Sequence, residues 1–144
     1  GGPIDPALRA RLDRPTPRVS LGRALRGIAT SCIDISDGLL ADLGHVCKAS
    51  EIGARVDVDA LPVSQALRNC FDADACRRLQ ATGGDDYELC FTAPAERHAA
   101  VIEAASAHVT VACIGRIVEG AGVSAVDAHG VAWRPAMAGY RHFD

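Results

Sequence analysis

The sequence is poor in aromatic residues and has no feature that would direct it to a membrane or to a nucleic acid. Only 4% of its 144 residues are aromatic, and its formal charge of −3 provides no broad basic surface. No apolar run approaches the roughly 20 residues that span a bilayer, and the first residues lack the basic start and apolar middle of a signal peptide. We therefore expect a cytoplasmic protein whose partners are small molecules, with no nucleic acid and no membrane partner.

Thiol and histidine chemistry also have little support. The six cysteines include no C-x-x-C pair, and most have apolar neighbours, so we expect reduced residues packed in the core. They are Cys32, Cys47, Cys70, Cys76, Cys90 and Cys113. The five histidines have no metal-ligand spacing, and no nucleophile stands beside one of them in the sequence. Carboxylates are therefore the main candidates for chemistry.

What the sequence does contain is a set of alternating helix and strand patterns. Apolar residues make up 49% and charged residues 23%, as in a soluble globular protein. Residues 1–18 are predicted to be a lead-in and interdomain connector, because no helix can run through Arg14-Pro15-Thr16-Pro17-Arg18. Residues 19–144 are predicted to form one domain of the α/β (α+β) class, a layered α/β/α arrangement with a mixed sheet.

Periodicity and turn residues predict the individual elements. The predicted helices are 6–12, 19–27, one that begins at residue 36 and ends before Gly53, two within 63–80 that break near Phe71-Asp72, and one from Pro94 to about residue 107. The predicted strands are 30–35, 54–59, 87–92, 109–118, 123–126 and 131–133.

The strongest local signal is the run Ile33-Asp34-Ile35-Ser36-Asp37-Gly38-Leu39-Leu40. Alternation along the strand places Asp34 and Ser36 on one face, and Asp37 follows in the turn. Three oxygen-bearing side chains then converge at a strand end, where ligands usually bind in open α/β folds, and carboxylates suit Mg²⁺. The competing interpretation is that Ser36 caps the helix and Asp37 complements its dipole. The cost of burying Asp34 in an apolar strand without a cation favours the metal site.

Two further runs stand out. In Thr82-Gly83-Gly84-Asp85-Asp86-Tyr87-Glu88-Leu89 a glycine pair lets the backbone approach a ligand, and two acids follow directly. On composition alone, an ordinary solvated turn explains this run at least as well. The tail Gly139-Tyr140-Arg141-His142-Phe143-Asp144 places two of the few aromatics at a terminus, where we expect them to pack on the core or to stack.

In their order and spacing these runs resemble the thiamine-monophosphate kinase family. The resemblance extends to Ala41-Asp42-Leu43-Gly44-His45, to Cys90-Phe91-Thr92 and to Ile114-Gly115-Arg116-Ile117, and it spans nearly the whole chain but only the C-terminal domain of the family. It implies membership of the superfamily of aminoimidazole ribonucleotide synthetase and selenophosphate synthetase. The implied reaction is the Mg²⁺-dependent, in-line transfer of the γ-phosphoryl group of ATP to thiamine monophosphate, which gives thiamine diphosphate.

The resemblance also implies roles for individual residues. Asp34 and Asp37 would bind magnesium, Ser36 would contact ATP, and Asp85 and Tyr140 would contact the thiamine substrate. The family usually has glutamate where this chain has Asp85, whose side chain is shorter by one methylene group. A water or a small shift of the loop would therefore have to make up the difference in reach to the substrate. No side chain is assigned as a catalytic acid or base. The acceptor is a phosphate monoester with a second pKa of about 6, so it is already an anion at neutral pH and needs no strong base.

Partners follow from the same resemblance. An N-terminal domain of the same chain, which builds a homodimer and supplies most ATP and metal ligands in the family, is absent from this sequence, so we expect the fragment alone to be inactive. Three alternatives stay open: another ATP-dependent synthetase of the superfamily, a non-catalytic module that binds Mg-nucleotide or thiamine phosphate, and a structural domain whose acids are helix caps and solvated turns.

Overall fold

The structure is a computed structural model that describes residues 5–135. Its α-helices are α1 (Pro6–Asp13), α2 (Val19–Ala24), α3 (Leu39–Ser50), α4 (Gln65–Cys70), α5 (Ala73–Thr82) and α6 (His98–Ser106). Its strands are β1 (Ser31–Asp34), β2 (Gly53–Asp57), β3 (Leu89–Thr92), β4 (Gly115–Val118) and β5 (Gly122–Val126), and short 3-10 helices span Val58–Ala60 and Ala95–Arg97. Within this described part, no helix has both the length and the apolar character needed to cross a bilayer.

The strands form two small sheets. β1 pairs with β3 in antiparallel orientation, and Asp34 lies opposite Leu89 in the register. β2 is the middle strand of a three-stranded mixed sheet, with β4 antiparallel on one side and β5 parallel on the other. The predicted α/β (α+β) class with a mixed sheet is therefore confirmed.

α3 lies at the centre of the core. Its apolar residues recur at helical spacing, and it contacts strands of both sheets. Leu39, Leu43 and Cys47 of α3 are buried together with Ala54 and Val56 of β2. A sequence with this spacing buries one stripe of the helix, and here the stripe faces the mixed sheet and β1.

In the ribbon of β1 and β3, helices cover both faces of β3 but only one face of β1, because Cys32 and Asp34 on the other face of β1 are exposed. Alternate residues of a strand point to opposite sides. Ile33 and Cys90 pack against the core of α3, whereas Leu89 and Phe91 pack against a second cluster. That second cluster consists of Leu21 and Leu25 of α2 with Val101 and Ala105 of α6. The end of this ribbon is where the first two acidic runs of the sequence lie.

The strands predicted for 54–59 and 87–92 are each two residues shorter at one end, as Gly53–Asp57 and Leu89–Thr92, and two other predicted strands are wrong over most of their length. The strand predicted for 109–118 forms only over Gly115–Val118, because Val109 and Val111 pack against the second cluster instead of pairing with a strand. Only the Ile114 carbonyl joins the sheet, by accepting the N–H of Asp57 at 2.8 Å. The strand predicted for 131–133 is reduced to one bridge that involves Ala132.

All six cysteines are free, as predicted, but only half of them are in the core. Cys47, Cys76 and Cys90 are buried, and burial is the main cause that raises the pKa of Cys90 to about 11. The prediction is wrong for three exposed residues, which are Cys32, Cys70 and Cys113. Apolar neighbours in sequence do not ensure burial, because adjacent residues of a strand or helix point in different directions.

The turn between β1 and α3 is held by a buried carboxylate. The helix predicted to start at residue 36 starts at Leu39, and its N-cap residue Gly38 provides no side-chain hydrogen bond. Instead Asp42, which is 3% exposed, accepts the N–H of Ser36 at 2.9 Å and that of Asp37 at 3.0 Å through Oδ2. Ser36 therefore does not cap the helix. It belongs to a turn whose donors are satisfied from the first turn of α3.

We predict that Asp42→Ala lowers the free energy of unfolding by about 2 kcal/mol, because it leaves two partly buried N–H groups without an acceptor. Asp74→Ala is the matched control, since Asp74 also lies in the first turn of a helix but is exposed. The control should change stability by less than about 0.5 kcal/mol. Urea unfolding of both variants measures this, and equal losses would contradict the role of Asp42.

Candidate functional site

Two loops meet beyond the paired ends of β1 and β3. The first loop, residues 35–38, follows β1, and the second loop, residues 83–88, precedes β3. A Cβ added to Gly84 would lie 2.5 Å from the carbonyl oxygen of Ser36, which is too close for any side chain. Gly38 has a φ of 116°, a conformation that glycine adopts readily. The backbones of the two loops are therefore in contact at Gly84, where any residue other than glycine would place a Cβ atom against the first loop.

Backbone hydrogen bonds join the two loops. The Ile35 N–H donates to the Glu88 carbonyl, and the Tyr87 N–H donates to the Ile35 carbonyl, both at 2.8 Å. The Asp85 N–H donates to the Ser36 carbonyl, also at 2.8 Å. The antiparallel pairing of β1 and β3 therefore continues into the loops and brings the two runs of the sequence into one junction.

Four of the five predicted site residues lie at this junction. Asp34, Asp37 and Asp85 are exposed, and Ser36 is half-buried with no partner for its hydroxyl among residues 5–135. The exposure of Asp34 corrects the argument from its burial cost, because the face of β1 that carries Cys32 and Asp34 is not covered. The fifth residue, Tyr140, lies outside the described residues.

The second loop has an unusual backbone. Asp85 has a φ of 61° and Tyr87 a φ of 52°, in the left-handed region that costs a residue with a side chain about 1 kcal/mol. The Tyr87 hydroxyl donates to Oδ1 of Asp85 at 3.3 Å. Conformations of this kind persist when the surroundings enforce them, and they cluster at binding and catalytic sites.

Sequence reasoning gave no role to the ion cluster that borders the second loop. Arg18 donates to Glu88 from Nε at 2.9 Å and from Nη2 at 2.8 Å, and Arg11 also donates to this carboxylate. Burial raises the pKa of Glu88, but the hydrogen bonds and charges of Arg18 and Arg11 outweigh it, so the net pKa is lowered. No local pattern could reveal this cluster, because Glu88 is 77 residues from Arg11 and 70 residues from Arg18 in the sequence.

Asp86 is, with Glu88, one of the two half-buried acids of the second loop. Burial raises the pKa of its carboxyl, and the neighbouring charges of Glu88 and Asp85 raise it further, while Arg11 opposes them. The exposed carboxylates Asp34, Asp37 and Asp85 lie at the same junction as this half-buried acid. Such a site favours the binding of a cation.

A group of potential metal ligands lies beside the first loop. Asp37, Asp42 and His45 each offer a ligand atom, and these atoms lie within 4.8 Å of one another. Oδ2 of Asp42 already accepts two N–H groups, and imidazole suits transition metals better than Mg²⁺. Asp37 and Asp34, as exposed carboxylates, fit Mg²⁺ by donor type. The spacing of Asp42 and His45 on one helix face could have indicated this group.

The chain is similar to several known proteins. The family model described as AIR synthase related protein, C-terminal domain, matches residues 9–128. Thiamine-monophosphate kinase of Salmonella typhimurium (strain LT2) is 51% identical over 105 residues, which are 72% of this chain and 32% of that relative. The chain thus spans about a third of the length of the curated relatives it matches.

Two solved structures are similar in fold over most of the chain. The crystal structure of thiamine-monophosphate kinase from Stenotrophomonas maltophilia K279a has a TM-score of 0.81 and 49% identity, and the match covers 88% of this chain and 40% of that one. AaThiL complexed with AMPPCP and TMP has a TM-score of 0.78 and 30% identity, covering 99% of this chain and 43% of that one.

We predict that Gly84→Ala lowers the free energy of unfolding by about 2 kcal/mol, because the Ser36 carbonyl must move away from the new methyl group. Gly44→Ala is the matched control in the interior of α3, where an added Cβ meets nothing within 4 Å. The control should gain about 0.5–1 kcal/mol from helix propensity. Thermal and urea unfolding measure both, and a Gly84→Ala variant as stable as the control would disprove the close packing of the loops.

Proposed function

The chain belongs to the family of AIR synthase related proteins, as one of their C-terminal domains, and on that premise we propose that it is part of a thiamine-monophosphate kinase. The complete enzyme transfers the γ-phosphoryl group of ATP to thiamine monophosphate. The observation that carries this proposal is the junction of the two loops, which gathers exposed acids in a chain about half identical to kinases of that name. A relative that binds AMPPCP, an analogue of ATP, together with TMP supports the same pair of substrates.

We assign Asp34 and Asp37 to magnesium. Both are exposed carboxylates near the end of β1, and the oxygen donors that Mg²⁺ prefers are of this type. When bound, the ion neutralises negative charge on the phosphates of the two substrates. Ser36, whose hydroxyl has no protein partner within residues 5–135, is proposed to contact ATP.

The thiamine substrate is assigned to the second loop. Asp85 stands on the strained part of that loop, next to the first loop, and its exposed carboxylate would contact the substrate. The longer glutamate that is usual in the family is not required if a water spans the difference. Tyr140, outside the described residues, is proposed to line the same substrate.

The chemistry needs no catalytic acid or base from this chain. The acceptor phosphate is already an anion at neutral pH, so the obstacle is the approach of two polyanions. The residues of the junction would contribute by holding the phosphates in line and by recruiting the cations that reduce their repulsion. This agrees with a site built from carboxylates and backbone groups.

The rest of the enzyme is also proposed. Residues 1–18 would connect this domain, residues 19–144, to an N-terminal domain that supplies further ATP and metal ligands and forms the homodimer. The enzyme would work in the cytoplasm without nucleic acid or membrane. The isolated chain, with part of the site only, would be inactive.

We predict that Asp34→Asn in the complete protein lowers kcat for thiamine diphosphate formation at least about 100-fold, because the variant loses a metal carboxylate. Since Asp34 is exposed, the variant should unfold at nearly the same temperature as the wild type. The assay is the conversion of thiamine monophosphate and ATP in the presence of Mg²⁺.

Two controls accompany this assay. Asp74→Asn removes the same charge from the exposed start of α5 and should keep normal turnover. The isolated 144-residue chain should show no turnover. Near-normal kcat for Asp34→Asn would contradict the metal assignment, and a complete wild-type protein without thiamine-monophosphate kinase activity would overturn the proposed function itself.

A further inference from the structure

Glu88 connects the second loop to the segment that precedes the domain. Arg18 approaches its carboxylate with the two-pronged geometry in which Nε and Nη2 each donate to a different oxygen. Arg11, on α1, donates to one of the same oxygens. The three side chains are only 24–40% exposed, so solvent screens this cluster less than an ordinary surface pair.

Arg11 makes a second contact that an ordinary ion pair would not need. The same Nη2 that donates to Glu88 also donates to the backbone carbonyl of Asp86 at 3.0 Å. Arg11 thus holds the second loop by its backbone as well as by a side chain. The contact falls between Asp85 and Tyr87, the two residues of the second loop that have positive φ.

The second loop is therefore held from two sides. On one side the N–H groups of Asp85 and Tyr87 donate to the first loop. On the other side Arg11 and Arg18 hold Glu88. A left-handed backbone at residues with side chains persists only where its surroundings hold it. Within residues 5–135, the bonds to the first loop and the contacts of the two arginines are the interactions that hold the second loop.

We propose that Arg11 and Arg18 are positioning residues that act through Glu88 and the Asp86 carbonyl to hold the Asp85 carboxylate in the conformation that receives the substrate. The identity of that substrate rests on the proposed function. Neither arginine touches the substrate in this proposal. The lead-in segment 5–18 is thus a structural support of the site as well as a connector.

The test uses Arg11→Gln in the complete protein. Loss of the contacts to Glu88 and Asp86 should speed amide hydrogen exchange in peptides from the second loop about tenfold, the scale of one charge-assisted hydrogen bond. Exchange in peptides from α3 should not change. The KM for thiamine monophosphate should rise about tenfold, while kcat at saturating substrate falls by less than about threefold, because the variant affects binding geometry more than the transferred group.

Arg9→Gln is the matched control. Arg9 is on the same helix and carries the same charge, but within residues 5–135 its side chain pairs only with Asp13, at 2.6 Å. It should leave both loop exchange and KM at wild-type values. Arg11→Lys keeps the positive charge but lacks the planar guanidinium group that donates two hydrogen bonds at once. Its KM should therefore lie between those of the wild type and Arg11→Gln, and its loop should regain a smaller share of the protection from exchange. This variant serves as the test if Arg11→Gln folds poorly.

The outcomes separate this inference from the proposed function. Equal loop exchange in the Arg11→Gln and Arg9→Gln proteins would overturn the positioning role, and so would a fall in kcat with unchanged KM. A wild-type protein without kinase activity, whose second loop still exchanges faster in Arg11→Gln, would refute the proposed function while supporting the structural link between α1 and the loop.

Discussion

The site depends on the backbone hydrogen bonds between the first and second loops. They extend the pairing of β1 and β3 past the last paired residues, and they bring runs of sequence that are far apart into contact. Such close contact requires glycine, because a Cβ at Gly84 would meet the Ser36 carbonyl. Without these bonds, Asp34 and Asp37 would be solvated acids at one strand end, and Asp85 would belong to an ordinary turn. The glycines and the acids of these runs thus form one structural unit.

Charge is the second constraint on this unit. Several carboxylates share a small junction, and repulsion among them would open the loops unless cations or donors compensate. The protein compensates in two ways with its own groups. Asp42 is satisfied by the N–H groups of the first loop, and Glu88 is satisfied by the arginines at its side. Asp34, Asp37 and Asp85 are exposed carboxylates, and this is the donor type that Mg²⁺ prefers.

The sequence predicted the elements whose signal is local. The apolar spacing of α3, the break between α4 and α5, the alternation in β2 and the position of β5 are all found in the structure. Features that depend on distant residues were not predictable. The role of Ser36 was missed for a different reason: the helix begins at Leu39, three residues later than predicted, and the N–H of Ser36 is accepted by Asp42, six residues along the chain. The exposure of Asp34 depends on which face of the ribbon its neighbours cover. The contact of Arg11 with the second loop depends on how α1 folds back.

The most direct test of this account is a titration of the complete protein with Mn²⁺, which takes the same oxygen ligands as Mg²⁺, followed by paramagnetic broadening of backbone amide signals. If the two loops form one metal site, signals from residues 34–38 and 83–88 should broaden together at the same Mn²⁺ concentration, and excess Mg²⁺ should reverse the effect. Broadening confined to one loop, or absent from both, would contradict the claim that their junction is the site.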